Sequence, residues 1–214
     1  MSHIIVTKFI NELMSSNCYV VSNEETSSCI IIDPGSEEEK EVIDYIEKNS
    51  LIPFCIIITH EHTDHNWGVN VLKEKYGCDI WCSEECDLNM RNDNSSYFLF
   101  YYNRTDYQYT ITSIDYLIPS YDIHAKWEDI NLRIYYTPGH SIGSICILIQ
   151  NKLFSGDTLM QYRPYIDRKT GSMETWKKST KRLLSLLKRK DIIVYPGHGD
   201  KFSLTDFSND NLYE

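Results

Sequence analysis

Three imidazoles and two carboxylates fall within six consecutive positions, His60-Glu61-His62-Thr63-Asp64-His65. His60 and His62 are two apart, so in an extended or turning backbone their rings point the same way. Asp64 and His65 follow where the chain must turn and start a helix. Nitrogen and oxygen donors this close together suit zinc or iron. The chain has only seven His in 214 residues, so three within six positions argues against a surface loop that is His-rich by chance. Three later segments share a grammar: Thr137-Pro138-Gly139-His140-Ser141, Phe154-Ser155-Gly156-Asp157-Thr158 and Tyr195-Pro196-Gly197-His198-Gly199. Each sets one His or Asp beside Gly after an apolar strand, where Gly lets the backbone turn tightly and the side chain reach inward. Singly they are ordinary turns; together with the His cluster they are candidate ligands.

These side chains need rigid elements behind them. Ile4–Val6, Cys18–Val21 and Cys29–Ile32 read as strands, the last ending at Asp33-Pro34-Gly35. Ser36 with Glu39 three residues on reads as a capping box, predicting a helix over 37–49 with Val42, Ile43 and Ile46 inward. Phe54–Ile58 is a buried strand that runs into the His cluster. Asn66–Tyr76 reads as a helix stopped by Gly77. Asp79–Cys82 is a short strand and Ser83–Met90 a short helix. Strands follow at Tyr116–Ile118, Ile130–Tyr136, Ser144–Ile149 and Lys152–Phe154, then a helix over Glu174–Lys188 and a strand over Asp191–Tyr195. Alternating strands and helices in both halves imply sheet packed on sheet with helices outside. Residues 92–115 carry Tyr97, Tyr101, Tyr102, Tyr107 and Tyr109 without a clean period. This stretch reads as an extended loop or loose helical insertion, and the last dozen residues as a polar tail.

Bulk properties narrow the class. At 214 residues one domain is the default, able to bury roughly 70% of its unfolded surface. The net charge of −10 repels phosphate backbones, so nucleic acid and anionic membrane are poor partners and a small molecule is the expected one. Seven Cys, an odd number and several inside apolar runs, suit reduced thiols in a cytoplasm. Cys78, Cys82 and Cys86 recur every four residues, but the intervening Asp79-Ile80-Trp81 reads as strand, which favours buried thiols over a metal site. No signal peptide or membrane-spanning run is visible.

The His-x-His-x-Asp-His run at 60–65, followed in order by His140, Asp157 and His198, resembles the metallo-β-lactamase superfamily. The strand ending Ile32-Asp33-Pro34-Gly35, with Asn17 upstream, is similar to that family's opening hairpin. The resemblance spans most of residues 1–200 and implies an α/β fold, a four-layered αβ/βα sandwich with metals at one edge. It also implies that His60, His62 and His140 hold one metal, that Asp64, His65 and His198 hold a second, and that Asp157 bridges them. Two zinc ions are expected, with iron or manganese as alternatives. Asp33 is a candidate acceptor behind a metal-bound His, or a plain Asp-Pro turn. Such a pair of ions generates a hydroxide near neutral pH, which Asp64 would help to orient. The segment Gly156-Asp157-Thr158-Leu159, then Gly171-Ser172 and the helix from Met173, resembles glyoxalase II-type thioester hydrolases. The helical C-terminal domain of full glyoxalase II is not seen, and Tyr162-Arg163-Pro164 departs from its Gly-Arg pattern. Tyr162, Arg163 and Tyr165 lie near Asp157 in the sequence and are candidates for substrate contact, with surface salt bridging or packing the more ordinary role. The alternatives are a lactonase, a mononuclear-iron persulfide dioxygenase, or an inactive metal-binding interaction protein using the Tyr-rich stretch.

Overall fold

The computed structural model describes residues 3–91, 109–187 and 191–207. Their strands form two six-stranded sheets. The first contains β1 (Ile4–Ile10), β2 (Asn17–Asn23), β3 (Ser28–Ile32), β4 (Ile52–Ile57), β5 (Asp79–Ser83) and β6 (Tyr116–Ile118), in that order. β1, β2 and β3 are antiparallel, whereas β3 to β6 are parallel. Parallel neighbours need crossovers, which α1 (Lys40–Lys48) supplies between β3 and β4 and α2 (Val69–Tyr76) between β4 and β5. A further helix, α3, covers 84–91.

The second sheet runs β7 (Ile123–Trp127), β8 (Ile130–Tyr136), β9 (Ile145–Ile149), β10 (Lys152–Gly156), β11 (Ile193–Pro196) and β12 (Phe202–Ser203). All neighbours are antiparallel except β10 and β11, which α4 (Met173–Leu187) joins. β8, β10 and β11 therefore run the same way and end at the same edge.

Side-chain alternation makes the layers. Ile30, Ile32, Cys55 and Ile57 of the first sheet face Leu132, Ile134, Ile147 and Phe154 of the second across a buried core. The opposite face of the first sheet, with Ile31, Ile56 and Ile58, packs on Val42, Ile46 and Leu72 of α1 and α2. The far face of the second, with Cys146, Leu148 and Val194, packs on Leu183 and Leu187 of α4. The four-layered αβ/βα sandwich is thus present. β4 is buried on both faces along Cys55-Ile56-Ile57, as a central parallel strand must be.

Some local expectations need correction. The first helix begins at Lys40, not 37, because Glu39 takes φ 48°, a left-handed conformation outside any α-helix. Its carboxylate accepts from the Ser36 N–H at 2.7 Å, so half of the capping-box contact forms without Ser36 being the cap. The second helix begins at Val69 rather than Asn66: residues Thr63–His65 form a 3₁₀ turn, and Asn66 takes φ −143°. Its side-chain amide donates to the Glu61 and His62 carbonyls, tying down the turn. β7 and β12 were not expected. The expected polar tail is part of the fold at its start, since Phe202–Ser203 pairs with Ile193-Val194 and Leu204 is buried. Residues 208–214 lie outside the described residues, as do Tyr97, Tyr101, Tyr102 and Tyr107. Tyr109 is buried against Leu13 and Trp67, and its hydroxyl donates to the Asn66 carbonyl.

Candidate metal centre

All the candidate ligands stand in loops leaving one edge of the sandwich. β4 leads to His60–His65, β8 to His140, β10 to Asp157 and β11 to His198. Backbone bonds stitch the loops across the layers: Ile145 N–H donates to the Thr59 carbonyl at 2.9 Å, and Asn17 N–H to the Gly197 carbonyl at 2.7 Å. The Asn17 side chain adds bonds to the carbonyls of Pro196 and Gly199.

Three ring nitrogens converge on one point. His62 Nδ1 lies 3.1 Å from His60 Nε2 and 3.0 Å from His140 Nε2. A second set converges beside it, with His65 Nε2 at 3.4 Å from His198 Nε2 and Asp64 Oδ2 at 3.5 and 3.4 Å from those two nitrogens. Asp157 stands between the sets: one oxygen is 3.7 Å from His65 Nε2, and the other is 3.6 Å from His140 Nε2 and 3.5 Å from His198 Nε2. All seven sequence candidates are brought together.

The outward nitrogens of four rings are also held. His65 Nδ1 lies 2.9 Å from Asp33 Oδ2, and His140 Nδ1 lies 2.6 Å from the Tyr165 carbonyl. His60 Nδ1 is 3.0 Å from the Thr59 hydroxyl, which donates to Asp33 Oδ2 at 2.7 Å. His62 reverses the pattern, with Nε2 outward at 3.3 Å from Asp167 Oδ2. Asp33 is therefore more than an Asp-Pro turn: it is 2% exposed and serves both Thr59 and His65. Such partners fix ring orientation and raise ligand basicity.

Charge makes the case for cations. Burial, reinforced by the neighbouring rings His65, His62, His140 and His198, holds His60 well below the usual imidazole range. Burial likewise pulls His140 down to about 4, against the pull of Asp157. Burial opposes charge on His65 too, yet Asp64, Asp33 and Asp157 push it up to about 10. Burial would raise Asp64, but His65 and His198 hold it well below the carboxylate range. Buried carboxylates thus demand positive charge while His60 and His140 resist protons. Asp157 Oδ1 is also buried with no hydrogen-bond partner among the described residues. Such an atom costs free energy unless something meets it. Five imidazoles and two carboxylates with an orphaned oxygen between them fit two metal ions.

The profile described as "Metallo-beta-lactamase superfamily" matches residues 12–198. The chain belongs to the metallo-beta-lactamase superfamily. Hydroxyacylglutathione hydrolase GloC of Haemophilus influenzae is 32% identical over 192 residues, covering 86% of this chain and 85% of that one. Among solved structures, BLEG-1 B3 metallo-beta-lactamase superposes with a TM-score of 0.84 at 22% identity, covering 94% of this chain and 95% of that one. TTHA1623 in a di-iron-bound form gives 0.79 at 24%, covering 98% and 100%. These two structures share the fold.

Within this superfamily site, two residues escaped the reading of the sequence. Thr59 falls between the Phe54–Ile58 strand and the His cluster and carries no mark of its own, although its hydroxyl links Asp33 to His60. Asp167 was not singled out at all, although it is 4% exposed and touches His62. The available signal was turn grammar, an Asp three residues before Thr170-Gly171. Tyr162 and Tyr165 are exposed, at 54% and 59%. Arg163 reaches the Met173 sulfur. Cys78, Cys82 and Cys86 lie in the apolar layer under α2, and no group of three metal-capable side chains among the described residues includes them.

Proposed function

We propose that this protein is a metal-dependent hydrolase that cleaves a small thioester or ester. His60, His62 and His140 would hold one ion and Asp64, His65 and His198 the other, with Asp157 available to both. The observation that carries this reading is the convergence of His60, His62 and His140 and of Asp64, His65 and His198 on either side of Asp157, whose Oδ1 is buried without a hydrogen-bond partner among the described residues. Zinc suits the donors best, with iron or manganese as alternatives. Ions bound here supply a water acidified towards neutrality and an electrophile for the carbonyl oxygen.

The chain's own groups do the rest. Against its burial, His65 and His198 hold the Asp64 carboxyl well below the carboxylate range, and its backbone carbonyl is pinned by the Ser16 hydroxyl at 2.5 Å and the Asn11 amide at 3.2 Å. We assign the Asp64 carboxylate to accept a hydrogen bond from a nucleophilic water and orient it. Asp33, Thr59, Asp167 and the Tyr165 carbonyl hold the rings. Tyr162 and Tyr165, both exposed, are the side chains we assign to substrate contact.

The similarity to GloC supports a thioester over other acyl compounds. Seven buried, free thiols support a reducing compartment, which we take to be the cytoplasm. Among the described residues no helix is long and apolar enough to cross a membrane. Net charge −10 supports a small-molecule substrate over nucleic acid or an anionic membrane. A panel of thioesters, lactones, β-lactams and phosphodiesters tests the proposal. Turnover of a thioester is the expected result. Turnover of a lactone alone would overturn the thioester assignment, and oxygen uptake with a persulfide by a one-iron protein would overturn hydrolysis.

A further inference from the structure

The segment from Tyr165 to Ser172 is bonded to the loops that carry His140 and His62. Its Tyr165 carbonyl accepts from His140 Nδ1 at 2.6 Å, and the Asp167 N–H donates to the His140 carbonyl at 2.8 Å. The Ser172 N–H donates to the Gly139 carbonyl at 2.8 Å. Asp167 then crosses to the other sheet's loop, placing Oδ2 3.3 Å from His62 Nε2. Its other oxygen is fixed by the N–H groups of Lys169 and Thr170, both at 2.7 Å. The Thr170 hydroxyl joins Asp167 Oδ1 at 3.2 Å to Glu61 Oε1 at 3.1 Å, and Glu61 Oε2 accepts from the Ser141 hydroxyl at 2.8 Å. One closed ring of contacts therefore ties the residues flanking His62 to those flanking His140. In the other half of the centre, His65 leans on Asp33 at 2.9 Å.

The ring also explains an inversion. His60 and His140 present Nε2 to the centre, whereas His62 presents Nδ1. An imidazole offers a lone pair at one nitrogen only when the other carries the proton. A carboxylate acceptor at Nε2 keeps the proton there and leaves Nδ1 as the donor atom.

We infer that Asp167 is a positioning residue that selectively governs metal binding by His60, His62 and His140, holding the His62 ring with Nδ1 facing the other two. This inference rests on the metal-dependent reading above. The test is stepwise competition of the zinc-loaded protein against a chromophoric chelator, with the melting temperature of the metal-free protein measured alongside. Asp167→Asn keeps an oxygen for the Lys169 and Thr170 N–H groups but loses the charge facing His62. It should weaken one of two ions about 10–100-fold. That ion should be the one lost in His140→Ala, and the ion lost in His198→Ala should be unaffected. Thr170→Val removes a hydroxyl from the ring but leaves Asp167 on His62, so it should change either affinity less than Asp167→Asn does. Equal weakening of both ions, in step with a lower metal-free melting temperature, would reduce Asp167 to a loop brace and overturn the inference. No change in either ion would overturn it as well. Wild-type protein that takes up fewer than two zinc ions would instead defeat the dinuclear reading itself.

Discussion

A methyl group at residue 197 would lie 2.1 Å from Asp157 Oδ1 and 2.8 Å from His65 Cε1. Gly197 is thus required for the approach of the β11 loop to both halves of the centre, beyond any freedom of its own backbone. Gly197→Ala is expected to lower metal affinity or activity about 10–100-fold, measured by elemental analysis and steady-state kinetics, while the helical circular-dichroism signal is kept. At this scale the direct ligands were legible because His and Asp beside Gly at strand ends are conspicuous by type and spacing. Thr59 and Asp167 were not, since their role depends on which ring each faces after the sheets have packed. A threonine ending a strand and an aspartate opening a turn have no distinctive spacing of their own. Asp33 was legible halfway: its place after Ile32 raised the possibility, and only the fold put His65 beside it.

Helix α1 shows how an element departs from its pattern. Glu39 is 3% exposed, and burial pushes its carboxyl up from an ordinary 4.5 to about 8 despite the Ser36 N–H bond. The folded chain therefore keeps a proton that the unfolded chain releases between those values. This contribution to stability is full below about 4.5 and is lost as pH rises through about 8. Glu39→Gln should stabilise the protein at pH 8 by on the order of 1–3 kcal/mol and have little effect near pH 5. Chemical denaturation of both proteins at the two pH values checks this. On α4, Trp176 is fully buried and donates from Nε1 to the Thr158 carbonyl at 2.9 Å, next to the Asp157 loop. Trp176→Ala should cost about 3–5 kcal/mol by the same measurement. Central strands were easy to read because Cys29–Ile32 and Cys55–Ile58 are nearly continuous apolar runs. β7 was harder: Ile123, Ala125 and Trp127 alternate with polar residues over only five positions, and the Glu128-Asp129 turn lacks a glycine although Glu128 takes φ 54°. Two-residue β12 is shorter than any pattern can reveal.

Across the whole molecule, the two sheets meet at the edge that carries the centre. His60, His62, Asp64 and His65 follow the first sheet, while His140, Asp157 and His198 follow the second. Ions shared between them would act as fasteners as well as reagents. Binding to the folded state alone adds about 4 kcal/mol when free metal stands a thousandfold above its dissociation constant. Stripping metal with a chelator should lower the melting temperature in a calorimetric scan, and restoring zinc should recover it. The layered architecture follows from alternating buried strands and helices, but the single edge depends on the common direction of β8, β10 and β11, which no local pattern states. The most direct test is the metal content of the purified protein beside His62→Ala. Two zinc ions per wild-type chain, with loss of both metal and hydrolase activity in the variant, is the predicted result. A single iron in the wild type, or a variant that keeps its metal and activity, would contradict the dinuclear hydrolase.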